Sequence, residues 1–321
     1  MKVDKKNKYF ILILFIFVVM ASILYLNINN RNQVSFTLYI RIPKLFAFIL
    51  VALCASFSTV TFQTITHNQL LTPSIIGIDS LYVLFQTVII FVLNQQSTLY
   101  TNPLTNFVLS ILLTVTTSVS LLLMFFSKFP GRFIILLMVG LVFNTFSDSI
   151  NTFLQVIMDP NDFSAVLTRT LTSFNQVNTT LLSIAWVTIL PFIIYLFLKG
   201  KQLDVIHLGQ DYAKSLGIRL NRDLVFYLIS LSIITATATS LVGPTSFIGF
   251  IGANIAYRVF STYKHHYLFI GSSLIALLFI LGGQIIVEHV FETQTTLSVV
   301  INFIGGIYFI FLLLNERRNL S

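Results

Sequence analysis

The chain has 321 residues, of which 56% are hydrophobic and only 9% are Asp, Glu, Lys or Arg, with a mean hydropathy of +0.89. A soluble domain carries about 25% charged residues because its surface must be solvated, so a chain this poor in charge needs lipid around it. The net charge of +8 then reads as a bias toward one membrane side, and no nucleic-acid partner is expected.

A spanning helix needs about 20 predominantly apolar residues. Such runs fall at 9–28, 43–65, 75–93, 104–126, 132–157, 181–198, 224–242, 245–260, 267–288 and 296–314. Backbone polar groups must be paired in lipid, so each run is expected to be helical. The expected fold is an all-α, polytopic integral membrane protein of about ten transmembrane helices, with residues 1–321 as a single transmembrane domain. No long charged stretch remains for a catalytic domain, so any ATP hydrolysis must reside in another chain, and no cofactor is expected.

The first run follows the basic segment KVDKKNK at 2–8. This resembles the start of a signal peptide, but the run is long enough to span and no small-residue cleavage site clearly follows. An uncleaved first helix is expected. At the start of the second run, Arg41 and Lys44 flank Pro43. They fit either basic side chains reaching to the interface or a cationic contact for an external partner. The same run holds Cys54, the lone cysteine, which excludes a disulfide framework and a cysteine metal site.

The fifth run carries Asp148 within a polar stretch that includes Asn144, Thr145, Ser147, Ser149, Asn151 and Thr152. Charge inside a membrane is costly and faces a bundle interior or water. Interhelical hydrogen bonding, a pathway lining and a proton-coupling site are all compatible with it. The loop from Lys199 to Arg222 has helical spacing, with Leu208, Tyr212 and Leu216 on one face and Gly209 and Gly217 as punctuation. It is either a solvated amphipathic loop or a docking helix for a partner on that side. The eighth run is short and glycine-rich, and is expected to be broken or partly buried. The adjacent His265 and His266 fall in a loop and read as solvated. No metal-ligand spacing occurs, and no metal site is expected.

Ten spans put both termini on one side. With the N-terminus inside, fifteen basic residues, among them Lys5, Arg132, Lys199, Lys201, Arg219, Arg222, Arg317 and Arg318, lie inside, and only Arg31, Arg41, Lys44 and Arg169 lie outside. Both termini are therefore expected in the cytoplasm of a bacterial cell.

Five fragments in order carry a family resemblance. LGQDYAKSLGI at 208–218 is similar to the LGxxxAxxLG loop of the permeases of iron-siderophore and vitamin B12 ABC importers. Arg41-Ile-Pro-Lys44 resembles their R-x-P-R. Gln63, Asn68 to Pro73 and Ile76-Gly77-Ile78 resemble their Q…NPLAxPxxLGv signature. Gly243-Pro244 with Phe247 to Asn254, and Gly305-Gly306 with Phe309, resemble the GxIGFVGLxxPH and GaPfFlxLL segments. The sequence departs at Gln69, Ala253, Asn254, Tyr257 and Ile307. Ala55, Ser56 and Ser58 stand where glycines are usual, and Glu288 falls near an expected arginine.

The resemblance implies a permease that moves an iron-siderophore-type chelate across the bacterial cytoplasmic membrane by alternating access at a permease dimer interface. A secondary transporter coupled through Asp148 is the alternative. The implied partners are membrane lipid, a second permease subunit (a homodimer or, given the departures, a heterodimer), two cytoplasmic ATPases and an extracytoplasmic binding protein. Leu208, Gly209, Asp211, Ala213, Leu216 and Gly217 are implied in ATPase coupling, and Arg41 and Lys44 in binding-protein docking. Gln63, Asn68, Asn144, Thr145, Ser147 and Asp148 are candidates for the path or gate.

Overall fold

A computed structural model describes residues 2–28, 34–93, 97–128, 133–174, 177–260, 262–292 and 294–319, and every regular element among them is helical. In chain order these are α1 (Lys2–Asn27), α2 (Val34–Thr66), a 3-10 turn (Pro73–Ile76), α3 (Ile78–Leu93), α4 (Thr98–Thr101), α5 (Pro103–Lys128) and α6 (Phe133–Ile157). Then come α7 (Pro160–Thr170), α8 (Thr179–Leu198), α9 (Gly200–His207), α10 (Gln210–Ser215) and α11 (Leu220–Val242). The last three are α12 (Ser246–Val259), α13 (His265–His289) and α14 (Leu297–Asn319).

Ten of these coincide with the ten apolar runs. Seven helices (α1, α2, α5, α6, α8, α11 and α13) are long and apolar enough to cross a membrane. α3, with 16 residues, and α12, with 14, are shorter, and the apolar part of α14 is Leu297–Leu312. α2, α11 and α13 are buried over most of their surface, whereas α1 and α6 expose most of theirs. Phe48, Phe62 and Ile65 of α2 and Phe269 and Ile280 of α13 are fully buried.

The structure refines the expected boundaries. α2 begins at Val34 rather than near 43 and carries Arg41 and Pro43 inside it. Arg41 Nη1 donates to the carbonyls of Tyr25 and Ile28, both at 2.6 Å, which ties this extra length to the end of α1. The third run is not one helix from 75. It breaks at Gly77, whose φ of +90° follows the 3-10 turn. A side chain there would meet the Asn144 backbone of α6 at 3.5 Å. α7 is a polar helix outside the ten runs; the Tyr82 hydroxyl of α3 donates to its Arg169 carbonyl at 3.2 Å. The eighth run forms one continuous helix, α12, and is buried rather than broken.

Burial of α12 has a steric cause. A Cβ on Gly249 would lie 2.4 Å from the Ala55 carbonyl oxygen of α2, so the two backbones touch. Small residues permit such approach where lipid supplies no hydrophobic drive. The glycine of this contact stands on α12, opposite the Ala55–Ser58 stretch.

Beside this contact lies a carboxylate that no sequence pattern marked. Asp79, in the first turn of α3, accepts from Ser74 Oγ at 2.6 Å, Thr239 Oγ1 at 2.9 Å and Ser246 Oγ at 2.7 Å. Three hydroxyl donors and the positive end of α3 offset the cost of holding a charge among apolar helices. The group therefore fastens the 3-10 turn, α11 and α12 at one point.

Candidate functional site

The amphipathic loop folds as two short helices. α9 is pinned to the body: Leu203 and Ile206 are buried, and the Gln202 amide donates to the Asp223 carboxylate of α11. Asp204 Oδ1 accepts from the His265 backbone N–H at 2.7 Å and from its Nδ1 at 2.6 Å. The other ring nitrogen, Nε2, lies 2.7 Å from the Thr64 hydroxyl at the end of α2. His265 is wholly buried. The expectation of a solvated loop histidine is corrected here, because His265 opens α13 and bridges α9 to α2. A polar bridge closed at both ring nitrogens rigidifies the elements it joins.

α10 projects from this pinned base, and its glycines explain the spacing of the sequence motif. Gly209 has φ +123° and ψ 154° at the N-cap of α10, a conformation open essentially to glycine alone. At the other end Gly217 has φ +81°. Its N–H donates to the Lys214 carbonyl at 2.9 Å, and Ile218 N–H donates to the Ala213 carbonyl at 3.0 Å. These two bonds form a Schellman C-cap with glycine at C′. Ala213, between the glycines, is fully buried and holds the helix down.

Three large apolar side chains of this segment stand in the open. Leu208 is 61%, Tyr212 68% and Leu216 67% exposed. These are the residues that the helical spacing put on one face. Asp211 is exposed and pairs with Lys214 at 3.7 Å.

At the opposite end of α2, Arg41 and Lys44 do not stand free. Arg41 Nη2 lies 3.6 Å and Lys44 Nζ 3.7 Å from the two carboxylate oxygens of Glu288 at the end of α13. The Tyr25 hydroxyl and the Gln284 amide donate to the same carboxylate at 3.2 and 2.8 Å. The cluster joins α1, α2 and α13. Arg31 and Arg132 lie outside the described residues, as do the side chains of Arg317 and Arg318.

The path candidates separate into two places. Gln63 is buried, and its Nε2 donates to the Gln69 carbonyl at 2.5 Å; Asn254 Nδ2 of α12 donates to the same oxygen at 3.1 Å. Asn68 is exposed and accepts from Leu70 N–H at 2.9 Å, shaping the turn after α2. On α6, Ser147 is buried and Asn144 packs at Gly77, while Thr145 and Asp148 are exposed. Helical spacing therefore splits this polar stretch between an inner and an outer face. Asn151, one turn on, accepts from Thr87 at 2.5 Å. Among the described residues no three His, Cys, Asp or Glu side chains converge as a metal site.

The family model of the FecCD transport family matches residues 9–315. The chain belongs to the FecCD transport family. Within that family it is 42% identical over 285 residues to the petrobactin import system permease protein YclO of Bacillus subtilis (strain 168), covering 89% of this chain and 90% of the relative. It is 31% identical over 277 residues to the petrobactin import system permease protein FatC of Bacillus anthracis, covering 86% and 78%. A solved structure described as an inward-facing metal-chelate type ABC transporter superposes with a TM-score of 0.83 at 21% identity, covering 96% of this chain and 99% of that one. The ten-span helical fold is thus that of a FecCD permease. Membership along nearly the whole chain sets aside the secondary-transporter alternative. In a FecCD permease the chemistry is transport, and ATP is hydrolysed by a separate subunit.

Proposed function

We propose that this permease carries a ferric siderophore of the petrobactin class through a path between two permease subunits. Two ATPases act from the cytoplasm, and an extracytoplasmic binding protein delivers the cargo. The substrate class rests on the names of the two relatives given above. Both termini and α9–α10 lie in the cytoplasm, on the strength of the fifteen-to-four distribution of basic residues.

One observation carries the coupling assignment: three large apolar side chains, Leu208 at the end of α9 and Tyr212 and Leu216 on α10 and its C-cap, stand exposed around a helix held by two glycine caps over a pinned base. A soluble ATPase groove supplies the missing cover. Motion of the ATPases reaches α2 and α13 through Asp204, His265 and Thr64, because that bridge joins α9 to both helices. Gln63 and Asn68 at the end of α2, and Asn144, Thr145, Ser147 and Asp148 on α6, line or gate the path. Alternating access then needs only contacts that differ between the two open states. Iron crosses as part of the chelate, so the permease needs no metal ligands of its own.

On the outer side, Arg41 and Lys44 meet acidic residues of the binding protein, and Glu288 holds them in place until it arrives. The test is uptake of radiolabelled ferric petrobactin by vesicles holding the permease pair, its ATPase and its binding protein. Vanadate-sensitive, ATP-dependent uptake is expected. ATP-independent uptake driven by an ion gradient would refute the proposal.

A further inference from the structure

A groove lies at the base of α8, α9 and α11. It encloses about 570 Å³ and is lined by Tyr195, Lys199, Arg219, Arg222, Asp223 and Phe226. Three cations therefore share one concavity with a single carboxylate. That carboxylate is already engaged by the Gln202 amide. No side chain caps the N-terminus of α11, which opens at Arg219, so its backbone donors add positive potential to the same place.

The surroundings are apolar on one flank only. Val187, Leu190, Ile194 and Leu198 are 76%, 46%, 48% and 73% exposed and form a stripe along α8 that ends at Lys199. Phe226 of α11 is 46% exposed and carries the Arg222 guanidinium over its ring at 5.7 Å. A free anion needs the cations but gains nothing from the stripe. A phospholipid uses both, placing its phosphate on the guanidinium groups and its chains along α8.

We infer that this groove binds the headgroup of an anionic phospholipid at the membrane boundary next to the α9–α10 segment. Arg219 and Arg222 present planar donors that match phosphate oxygens, and Lys199 supplies a point charge. Basic pockets between spans on the cytoplasmic side are where such headgroups bind. Because Asp223 also holds Gln202 of α9, a lipid on its neighbours Arg219 and Arg222 lies one residue from the base of the coupling segment. The inference uses the sidedness proposed above, but its test does not depend on transport.

Full-length permease is purified and placed in phosphatidylcholine nanodiscs doped with phosphatidylglycerol, and retained lipid is counted by native mass spectrometry. Wild-type protein should retain phosphatidylglycerol in preference to phosphatidylcholine. Each basic residue near anionic lipid is worth about fivefold in occupancy, so the triple variant Lys199→Gln/Arg219→Gln/Arg222→Gln should lose about a hundredfold. The control Lys5→Gln/Lys8→Gln, which removes two basic residues from the same membrane side but outside the groove, should lose much less than the triple variant. Asp223→Asn removes the one repelling charge and should raise retention, a gain that misfolding does not mimic. Equal retention in the triple variant and the control overturns the inference. So does unchanged retention in Asp223→Asn at normal abundance. Displacement of the lipid by excess inorganic phosphate would reassign the groove to a free anion and overturns it as well. Loss of ATP-driven uptake with lipid retention intact would instead bear on the importer proposal.

Discussion

Replacing Leu216 by Asp tests the coupling assignment with little interference from folding. Leu216 is 67% exposed at the C-terminal end of α10, where its side chain stands in the open while Ala213 is buried. In the isolated permease a polar substitution there removes almost no packing, and surface changes of this kind usually stay within about 0.5 kcal/mol. If the leucine enters an apolar groove of the ATPase, the variant loses about 2 kcal/mol of side-chain burial. It also places a carboxylate against that groove without a partner, at a further cost of at least about 2 kcal/mol. A total near 4 kcal/mol corresponds to roughly a thousandfold weaker association. Leu216→Asp should thus insert at normal abundance, fail to copurify the ATPase and lose uptake. Gly209→Val should act more mildly, because φ +123° strains any β-branched residue and tilts α10 without touching its apolar face. Membrane abundance, ATPase copurification and uptake are measured in one strain series. Normal uptake by Leu216→Asp at normal abundance would refute the coupling role.

Three further outcomes are expected. Asp204→Ala leaves the His265 ring and backbone N–H without their acceptor, a loss of about 2–4 kcal/mol for a charged partner. Hydrogen exchange across 200–215 should accelerate while α13 beyond its first turn stays protected; unchanged exchange would show that the bridge does not hold α9. For the outer cluster, Arg41→Glu/Lys44→Glu should abolish binding-protein association but also repel Glu288. Adding Glu288→Lys restores opposite charges across the cluster, although the Tyr25 and Ile28 carbonyls lose their Arg41 donor, so the triple variant should reach the membrane at a higher level than the double variant and, per inserted molecule, still not bind. Recovered binding in it would limit Arg41 and Lys44 to the role of tying α1, α2 and α13 together. Finally, cysteines placed at Lys5 and Lys201 should resist an impermeant thiol reagent in intact cells, and ready labelling at position 201 would reverse the topology.

The outer cluster and the inner bridge share a design. Each sits at one end of both α2 and α13, and each joins those helices to a third element, α1 at one end and α9 at the other. A helix of rigid geometry carries displacement along its axis. Under the function proposed above, the two ends of the α2–α13 pair are where the binding protein and the ATPases act.

The ten spans were legible in the sequence because lipid leaves the backbone no choice: an apolar run of sufficient length must close its own hydrogen bonds. The exposure of Leu208, Tyr212 and Leu216 was legible from their spacing among polar residues, but the single helix that this spacing suggested is broken at Gly209, and the breaks at Gly209 and Gly217 were legible because positive φ selects glycine locally. The tertiary structure alone decided which polar residues meet. Thr64 and His265 are 201 residues apart, Asp79 and Thr239 160, and Tyr25 and Glu288 263. A lone Asp, His or Glu in an apolar run carries no mark of its partner, since its burial is tolerable only once distant hydroxyls or charges arrive around it. That is why His265 reads as a loop residue in the sequence, Asp79 stands in no motif, and Arg41 and Lys44 read as free cations. Local backbone chemistry set the helices, and packing between distant segments set the polar joints that connect them.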